Sequence, residues 1–395
     1  MLAREKVVAF KFLHTADWQL GKPYGWVTSP EQQNRLRDAR FDAIDRLGDL
    51  ARTEGAKVVL VAGDVFDSDR PGANTIVTAL GRIGRMGMPV LLIPGNHDHG
   101  GPGSLWETRE FNEQSRRLAP NLQVLTECRP VEIEGAVVLP CPLLKRMENS
   151  DTTAWIRHLS PETWESFGGR PRIVLAHGSV REFGSGAGDG EAPNQINLSQ
   201  LPTGEIDYVA LGDWHGVKQV GPQAWYSGTP EIDRFPKGAD NRPGHCLTVT
   251  ANRSGLPKVE EHRTTGKIWH QLERQVHSGE ELDALELEFR ELVGSRVNDL
   301  LMELEISGSL GLEGRERLER MLESMRPALI ALDVRDRVSV SPTEAEIEAL
   351  TCRATDPLIR TVAGRLLDRY RGASGDEGAA ALSALRDLHA LACNA

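Results

Sequence analysis

The stretch Leu91-Leu92-Ile93-Pro94-Gly95-Asn96-His97-Asp98 constrains this chain more than any other. Its apolar start reads as a buried strand, and Pro94-Gly95 ends that strand in a turn. Asn96, His97 and Asp98 then place an amide, an imidazole and a carboxylate at the strand's carboxyl end, where an open parallel sheet forms its crevice. Taken alone, Gly-Asn-His-Asp also suits an ordinary turn whose Asn and Asp bond their own backbone. The rest of the chain repeats the arrangement. Residues 7–13 form a strand pattern that runs into His14-Thr15-Ala16-Asp17-Trp18-Gln19, and residues 57–62 form another that ends in Gly63-Asp64-Val65-Phe66-Asp67. Between them, Leu36, Phe41, Ile44, Leu47 and Leu50 mark a helix over 32–53 that stops before Gly55, and a second helix is expected over 73–86. Strands alternating with helices, with polar residues at each strand's carboxyl end, predict an α/β fold whose site lies at the crest of the sheet.

Farther along the pattern turns β-rich, with strands expected near 121–125, 131–140, 172–176 and 206–211 and a hairpin-like series through 216–227 and 244–262. Two of these end in Ala176-His177-Gly178 and Gly212-Asp213-Trp214-His215-Gly216. The segment from Gly184 to Gln195 is too rich in glycine for a regular element and reads either as a flap beside the site or as a plain loop. After Gly266 the pattern becomes helix (280–293), strand (300–306), helix (313–325), strand (328–340). The division predicted is therefore a first domain over 1–266, a small α+β domain over 267–348 and a helical tail over 349–395. In the tail Asp356 can cap a helix that begins with Pro357, and Leu382, Leu385, Leu388 and Leu391 line a second. Such helices either fold back on their own domain or bind a partner.

Composition narrows the class. The 395 residues include five cysteines without a CxxC pair, which suits reduced thiols, and there is no apolar run long enough to span a bilayer. The first residues lack the apolar core of a signal peptide, so a cytoplasmic protein without membrane attachment is expected. A net charge of −11 argues against a broadly basic coat for nucleic acid. Bound divalent cations can still neutralise an acidic site. No GxxxxGK[ST] signature is present, so any ATP dependence has to come from another chain.

Five strand ends thus offer Asp17 and Gln19, Asp64 and Asp67, Asn96-His97-Asp98, His177, and Asp213 with His215. Mixed carboxylate, imidazole and amide donors are what a pair of divalent ions takes. In this order, GDVFD, GNHD, the lone His of AHG and the closing GDWH resemble the calcineurin-type metallophosphoesterases. FLHTADWQLG, VLVAGDVFD, IPGNHD, YVALGDWH and YSGTPEIDRF resemble, within them, the SbcD-type DNA repair exonucleases. The resemblance covers residues 12–235 and, more loosely, a DNA-capping domain after them.

It implies a four-layer αββα sandwich and metal-dependent hydrolysis of DNA phosphodiesters, exonucleolytic and also endonucleolytic, in repair or recombination. It further implies an SbcC-type SMC-like ATPase as partner, bound through the tail helices, and a homodimer. Carried over by position, Asp17 and His215 bind one metal, Asn96 and His177 the other, and Asp64 bridges them. His97 faces the scissile phosphate and is oriented by Asp98.

Two positions depart from the pattern, since Gln19 stands where the family has His and Asp213 replaces the first His of the last motif. The loss of imidazoles points to Mn²⁺, or Mg²⁺, over Zn²⁺ or Fe²⁺, with Gln19 and Asp213 as oxygen donors. A degraded or single-metal site is the other reading. Tyr24, Arg70, Lys218 and Arg234 are candidate substrate contacts. Trp18, Trp26 and Trp214 either stack on unpaired bases or, for Trp18 and Trp214 above all, pack in the core. The rival functions are a small-molecule phosphodiesterase or phosphatase of the same superfamily and a scaffold that binds DNA or an ATPase without catalysis.

Overall fold

The structure is a computed structural model that describes residues 9–180, 193–238, 241–253, 255–294, 296–353 and 356–393. Most of the Gly-rich segment 184–195 lies outside them. The chain divides into two compact units, Met1–Lys267 and Ile268–Ala395.

In the first unit β1 (Phe10–Thr15), β2 (Val59–Ala62), β3 (Val90–Ile93) and β4 (Leu122–Val124) lie parallel in sequence order. They are joined through α1 (Pro30–Thr53), α2 (Ala73–Arg85) and α3 (Arg109–Leu118). The chain then runs through β5 (Val131–Ile133), β6 (Ala136–Cys141), α4 (Pro161–Ser166), β7 (Arg172–His177) and the short pair β8 (Ser179–Val180) and β9 (Gln195–Ile196). It continues with β10 (Tyr208–Gly212), β11 (Lys218–Gln219), β12 (Ala224–Tyr226), β13 (His245–Ala251) and β14 (Lys258–Arg263). Two six-stranded sheets result, ordered β14-β13-β1-β2-β3-β4 and β11-β12-β10-β7-β6-β5.

The strands are apolar on both faces because each sheet is covered on both. Alternate residues of β2 show it: Val59 and Val61 pack with Ile44, Leu47, Leu80 and Ile83 of the helices, whereas Leu60 and Ala62 pack with Ile173, Leu175 and Tyr208 of the second sheet. On the second sheet's outer side Val174, Val209 and Leu211 meet Ile156, Phe167 and Ile206. The result is helix, sheet, sheet and helix in layers, a mixed α/β architecture that puts the carboxyl ends of β1, β2, β3, β7 and β10 at one crest.

The second unit holds β15 (Ile268–Val276), α5 (Gly279–Val293), β16 (Leu300–Leu310), α6 (Leu312–Met325) and β17 (Ala331–Val340). All three strands are parallel. Ser278 and Glu281 form a capping box at the start of α5. Leu300, Met302, Leu304 and Ile306 of β16 face the apolar sides of α5 and α6. On the opposite parity Glu303 and Glu305 pair with Arg335 and Arg337. Strand β15 is not legible in the sequence, since only Leu272 and Val276 along it are buried. The tail begins with α7 (Glu344–Thr351) and continues as α8 (Pro357–Gly372), capped by Asp356, and α9 (Asp376–Cys393). Its stripe, including Ala363, Leu367 and Leu385, packs with Leu312 and Leu350 of the same unit. Arg386 of α9 bonds Glu319 of α6 at 2.9 Å.

Candidate metal centre

At the crest the backbone is bent to bring side chains together. Asp17, Gln19, Asp64 and Asp213 all take positive φ, at 54°, 43°, 53° and 102°. Residues with a Cβ adopt that region rarely and hold it only where the surroundings enforce it. Here the first two strand ends hold each other, as the Asp17 N–H donates to the Gly63 carbonyl (3.0 Å) and the Gln19 N–H to the Asp64 carbonyl (2.9 Å). Two glycines explain the spelling of the motifs. A Cβ at Gly63 would lie 2.4 Å from His177 Nδ1, and one at Gly95 would lie 2.2 Å from Asp64 Oδ1. Only hydrogen fits at either place.

Donor atoms of Asp17, Asp64 and His177, all buried, lie within 4.8 Å of one another. His177 Nδ1 faces the Ala62 carbonyl at 2.7 Å, so Nε2 points into the cluster, 3.3 Å from Asn96 Oδ1, 3.6 Å from Asp64 Oδ1 and 3.9 Å from Asp213 Oδ1. Burial works to lower this imidazole's pKa, but Asp64, Asp17, Asp213 and the Ala62 carbonyl outweigh it and hold it at about 9. Burial raises the Asp17 carboxyl to about 6, against the pull of His215 and His177. A dense group of buried oxygen donors that retains positive charge on an imidazole suits a divalent cation. The residues therefore fit a metal.

His215 approaches from β10 with Nδ1 3.1 Å from Asp233 Oδ1, which leaves Nε2 to act as an acceptor. Burial would raise the Asp233 carboxyl, but the bond from His215 and the charges of His215, Arg40 and Arg234 drive it far below the ordinary range. Gln19 does not present its oxygen to this side. Its Nε2 stands 3.2 Å from His215 Nε2, while its Oε1 accepts from Lys22 Nζ at 2.9 Å. The ammonium also reaches Asp67 Oδ1 (3.3 Å) and Asp233 Oδ2 (3.4 Å). In this arrangement Gln19, expected as a ligand, caps the lone pair of His215, another candidate. Asp213 sits at the rim and accepts from Ser179 Oγ at 2.8 Å, and its N–H donates to the Asp17 carboxylate.

His97 is 32% exposed by its side chain, with Nδ1 on the Asp67 carbonyl at 2.9 Å and Nε2 4.0 Å from Asp64 Oδ2. The expectation that Asp98 orients it needs correction. The Asp98 carboxylate is buried and turned the other way, accepting the N–H groups of Gly95 (2.8 Å) and Phe66 (3.0 Å). It thus staples the Asn96 loop to the Asp64 loop. Burial and nearby Asp64 push it up to about 7 despite those two bonds.

Tyr24 also leaves the substrate set: it is buried, and its hydroxyl meets Arg40 Nη1 at 3.2 Å. Arg70 is exposed beside the Asp67 turn, and Arg234 lies at the mouth with Nε 3.2 Å from Asp233. Trp18 is a core residue, as expected, whereas Trp214 is exposed and has Lys218 Nζ 5.2 Å from its ring centroid. His14 lies behind the centre, buried between the Tyr208 hydroxyl and the Leu211 carbonyl, with burial lowering its pKa to about 3.

Two residues at the centre go unmarked by sequence reasoning. Asp233 stands within the YSGTPEIDRF segment, where its acidic side chain is the available signal. Arg40 lies in a helix with nothing to single it out. Its buried guanidinium donates to the carbonyls of Trp18, Glu231 and Asp17 and to Thr229 Oγ1, tying the first motif to the segment that carries Asp233.

Residues 10–217 match the calcineurin-like phosphoesterase family, more than half of the chain, and the chain belongs to that family. It is therefore a metallophosphoesterase. Within the family it is similar to the DNA double-strand break repair protein Mre11 of Saccharolobus solfataricus, 28% identical over 247 residues, or 58% of this chain and 59% of that one. It is also similar to the D component of the SbcCD nuclease of Escherichia coli K12, 25% identical over 284 residues, or 63% of this chain and 67% of that one. This chain thus covers less than two thirds of the Mre11 protein. Among solved structures, a dimetal phosphatase from Danio rerio matches 63% of the chain at 12% identity and a TM-score of 0.35. Among the described residues no helix is long and apolar enough to cross a membrane.

Proposed function

We propose that this chain is a metal-dependent DNA nuclease, exonucleolytic and also endonucleolytic, that hydrolyses phosphodiester bonds with a water activated by two divalent ions. The observation that carries the reading is the meeting of Asp17, Asp64, Asn96, His177 and His215 at one crest, in a chain similar to a break-repair protein and a nuclease component. Asp17 and His215 would hold one ion, Asn96 and His177 the other, with Asp64 between them and Asp213 at the rim. Such ions lower the pKa of bound water and neutralise charge at phosphorus. The oxygen-rich donor set favours Mn²⁺, with Mg²⁺ next.

The protein's own part falls chiefly to His97. Its Nδ1 proton goes to the Asp67 carbonyl, so Nε2 is the atom that faces a bound phosphoryl group. Protonated there, it donates to a phosphoryl oxygen and passes its proton to the leaving oxygen. Asp98 keeps the loop that bears His97 in register with Asp64. By analogy with the relatives, an SbcC-type SMC-like ATPase would be the partner and a homodimer the working form, acting in DNA repair or recombination in the cytoplasm.

The test is incubation of the chain, with and without its candidate ATPase, with end-labelled duplex and single-stranded DNA in Mn²⁺, Mg²⁺ or Zn²⁺. Mn²⁺-dependent degradation that disappears in His97→Ala is expected. Hydrolysis of bis-p-nitrophenyl phosphate without any degradation of DNA would refute the nuclease reading.

A further inference from the structure

The loop after β10 leaves a large aromatic ring in water between two residues of the centre. Trp214 stands between Asp213 and His215 and is 41% exposed, whereas Trp18, between Asp17 and Gln19, is 1% exposed. The Trp214 ring is held, because Lys218 Nζ lies over it at 5.2 Å from the centroid. Trp214 also walls a cavity of about 260 Å³, together with His215, Arg234, Phe235, Lys237 and Asn241. Lys218 is not among the residues that line it.

A second, independent feature points to a ligand here. The side-chain oxygen of Asn241 is buried and has no hydrogen-bond partner among the described residues. A buried acceptor left unpaired costs free energy that a ligand N–H would return. An aromatic face, an amide acceptor and two exposed cations, Arg234 and Lys237, are jointly the chemistry that recognises a nucleobase joined to phosphate. The volume falls below the roughly 300–1,000 Å³ of sites for drug-sized ligands, which leaves room for one planar base and not for a duplex end.

We propose that this cavity holds a single unpaired nucleobase of the strand whose phosphodiester lies at the metal centre, stacked on Trp214 and bonded to Asn241. The strand as substrate rests on the nuclease reading. The base of a mononucleotide phosphodiester offers the same chemistry, and the test separates the two sources.

The full chain carrying His97→Ala is titrated, in Mn²⁺, with an oligonucleotide that ends in a normal nucleotide and with one whose terminal nucleotide lacks its base. The base-bearing strand binds about tenfold tighter, within the range that a base–aromatic stack contributes. Trp214→Ala erases that difference, Trp214→Phe keeps most of it, and Asn241→Ala reduces it. Equal affinity for the two strands in the parent overturns the proposal, as does an equal loss for both strands in Trp214→Ala. In a second arm the wild-type chain receives a nucleoside p-nitrophenyl phosphodiester and bis-p-nitrophenyl phosphate. A lower KM for the base-bearing ester without any degradation of DNA sustains the pocket and sinks the nuclease reading. Degradation of DNA with no preference for a base does the reverse.

Discussion

Gln19 shows how one side chain can reshape a candidate metal centre while its backbone stays in place. The amide keeps its backbone place, with the N–H on the Asp64 carbonyl, but gives its oxygen to Lys22 and its nitrogen to His215. Gln19→His would return an acceptor nitrogen to that side. Calorimetric titration of Mn²⁺ should then show at least one site binding several-fold tighter, and unchanged isotherms would mean that Gln19 does not limit binding. The titratable groups carry a second expectation. In the metal-free protein Asp17 and Asp98 are raised to about 6 and about 7, so each binds more protons folded than unfolded above pH 4, and stability falls as pH rises through those values. His177, raised to about 9, contributes stability that is complete below its ordinary 6.5 and is lost as pH rises through 9. All three have the same sign. Buried His14, lowered to about 3, has the opposite sign until pH passes its ordinary 6.5. Thermal unfolding in a chelator should therefore give a Tm that falls between pH 7 and 9, and added Mn²⁺ should restore most at the alkaline end; a flat or rising Tm over that range would contradict these assignments. The candidate ligands are legible residue by residue because they follow apolar strands. The orientation of each side chain is not, as Asp98 illustrates: its neighbour in sequence is His97, but its bonds go to Gly95 and Phe66.

At the scale of elements, the strand-end loops determine the geometry, and their glycines are where they are most fragile. Gly63 has φ 88° and no room for a Cβ against His177 and Gly95. Gly63→Ala combines a left-handed backbone penalty with overpacking, so a loss of about 2–4 kcal/mol in denaturant unfolding is expected, together with loss of metal binding. A stable variant that still binds metal would mean the crest can yield. Helix α1 begins two residues before the apolar periodicity suggests because its true start lies in the cap: Ser29 accepts from the Gln32 N–H and Pro30 opens the helix. Strand β15 escapes sequence reading for the opposite reason. Its alternation is too weak to stand out until β16 supplies the partner that orders it.

For the molecule as a whole, the second unit has cores of its own, one between β16 and the helices α5 and α6, the other among α7, α8 and α9. A fragment spanning 268–395 should fold alone, with helical circular dichroism and a cooperative thermal transition; a broad, non-cooperative melt would show that it depends on the first unit. The sequence by itself determined that strands alternate with helices, that polar donors follow five strands and that this order is the calcineurin-like one. Those are local facts, written in periodicity, turn residues and short motifs. Only the tertiary structure decided that Arg40 binds the first motif to the Asp233 segment, that Lys22 turns Gln19 away, and that Trp214 stands open while Trp18 is buried. Arg40 reaches Thr229 and Glu231 far along the chain, and Lys22, though only three residues from Gln19, is itself held by Asp67 and Asp233; no local spacing encodes those long-range ties.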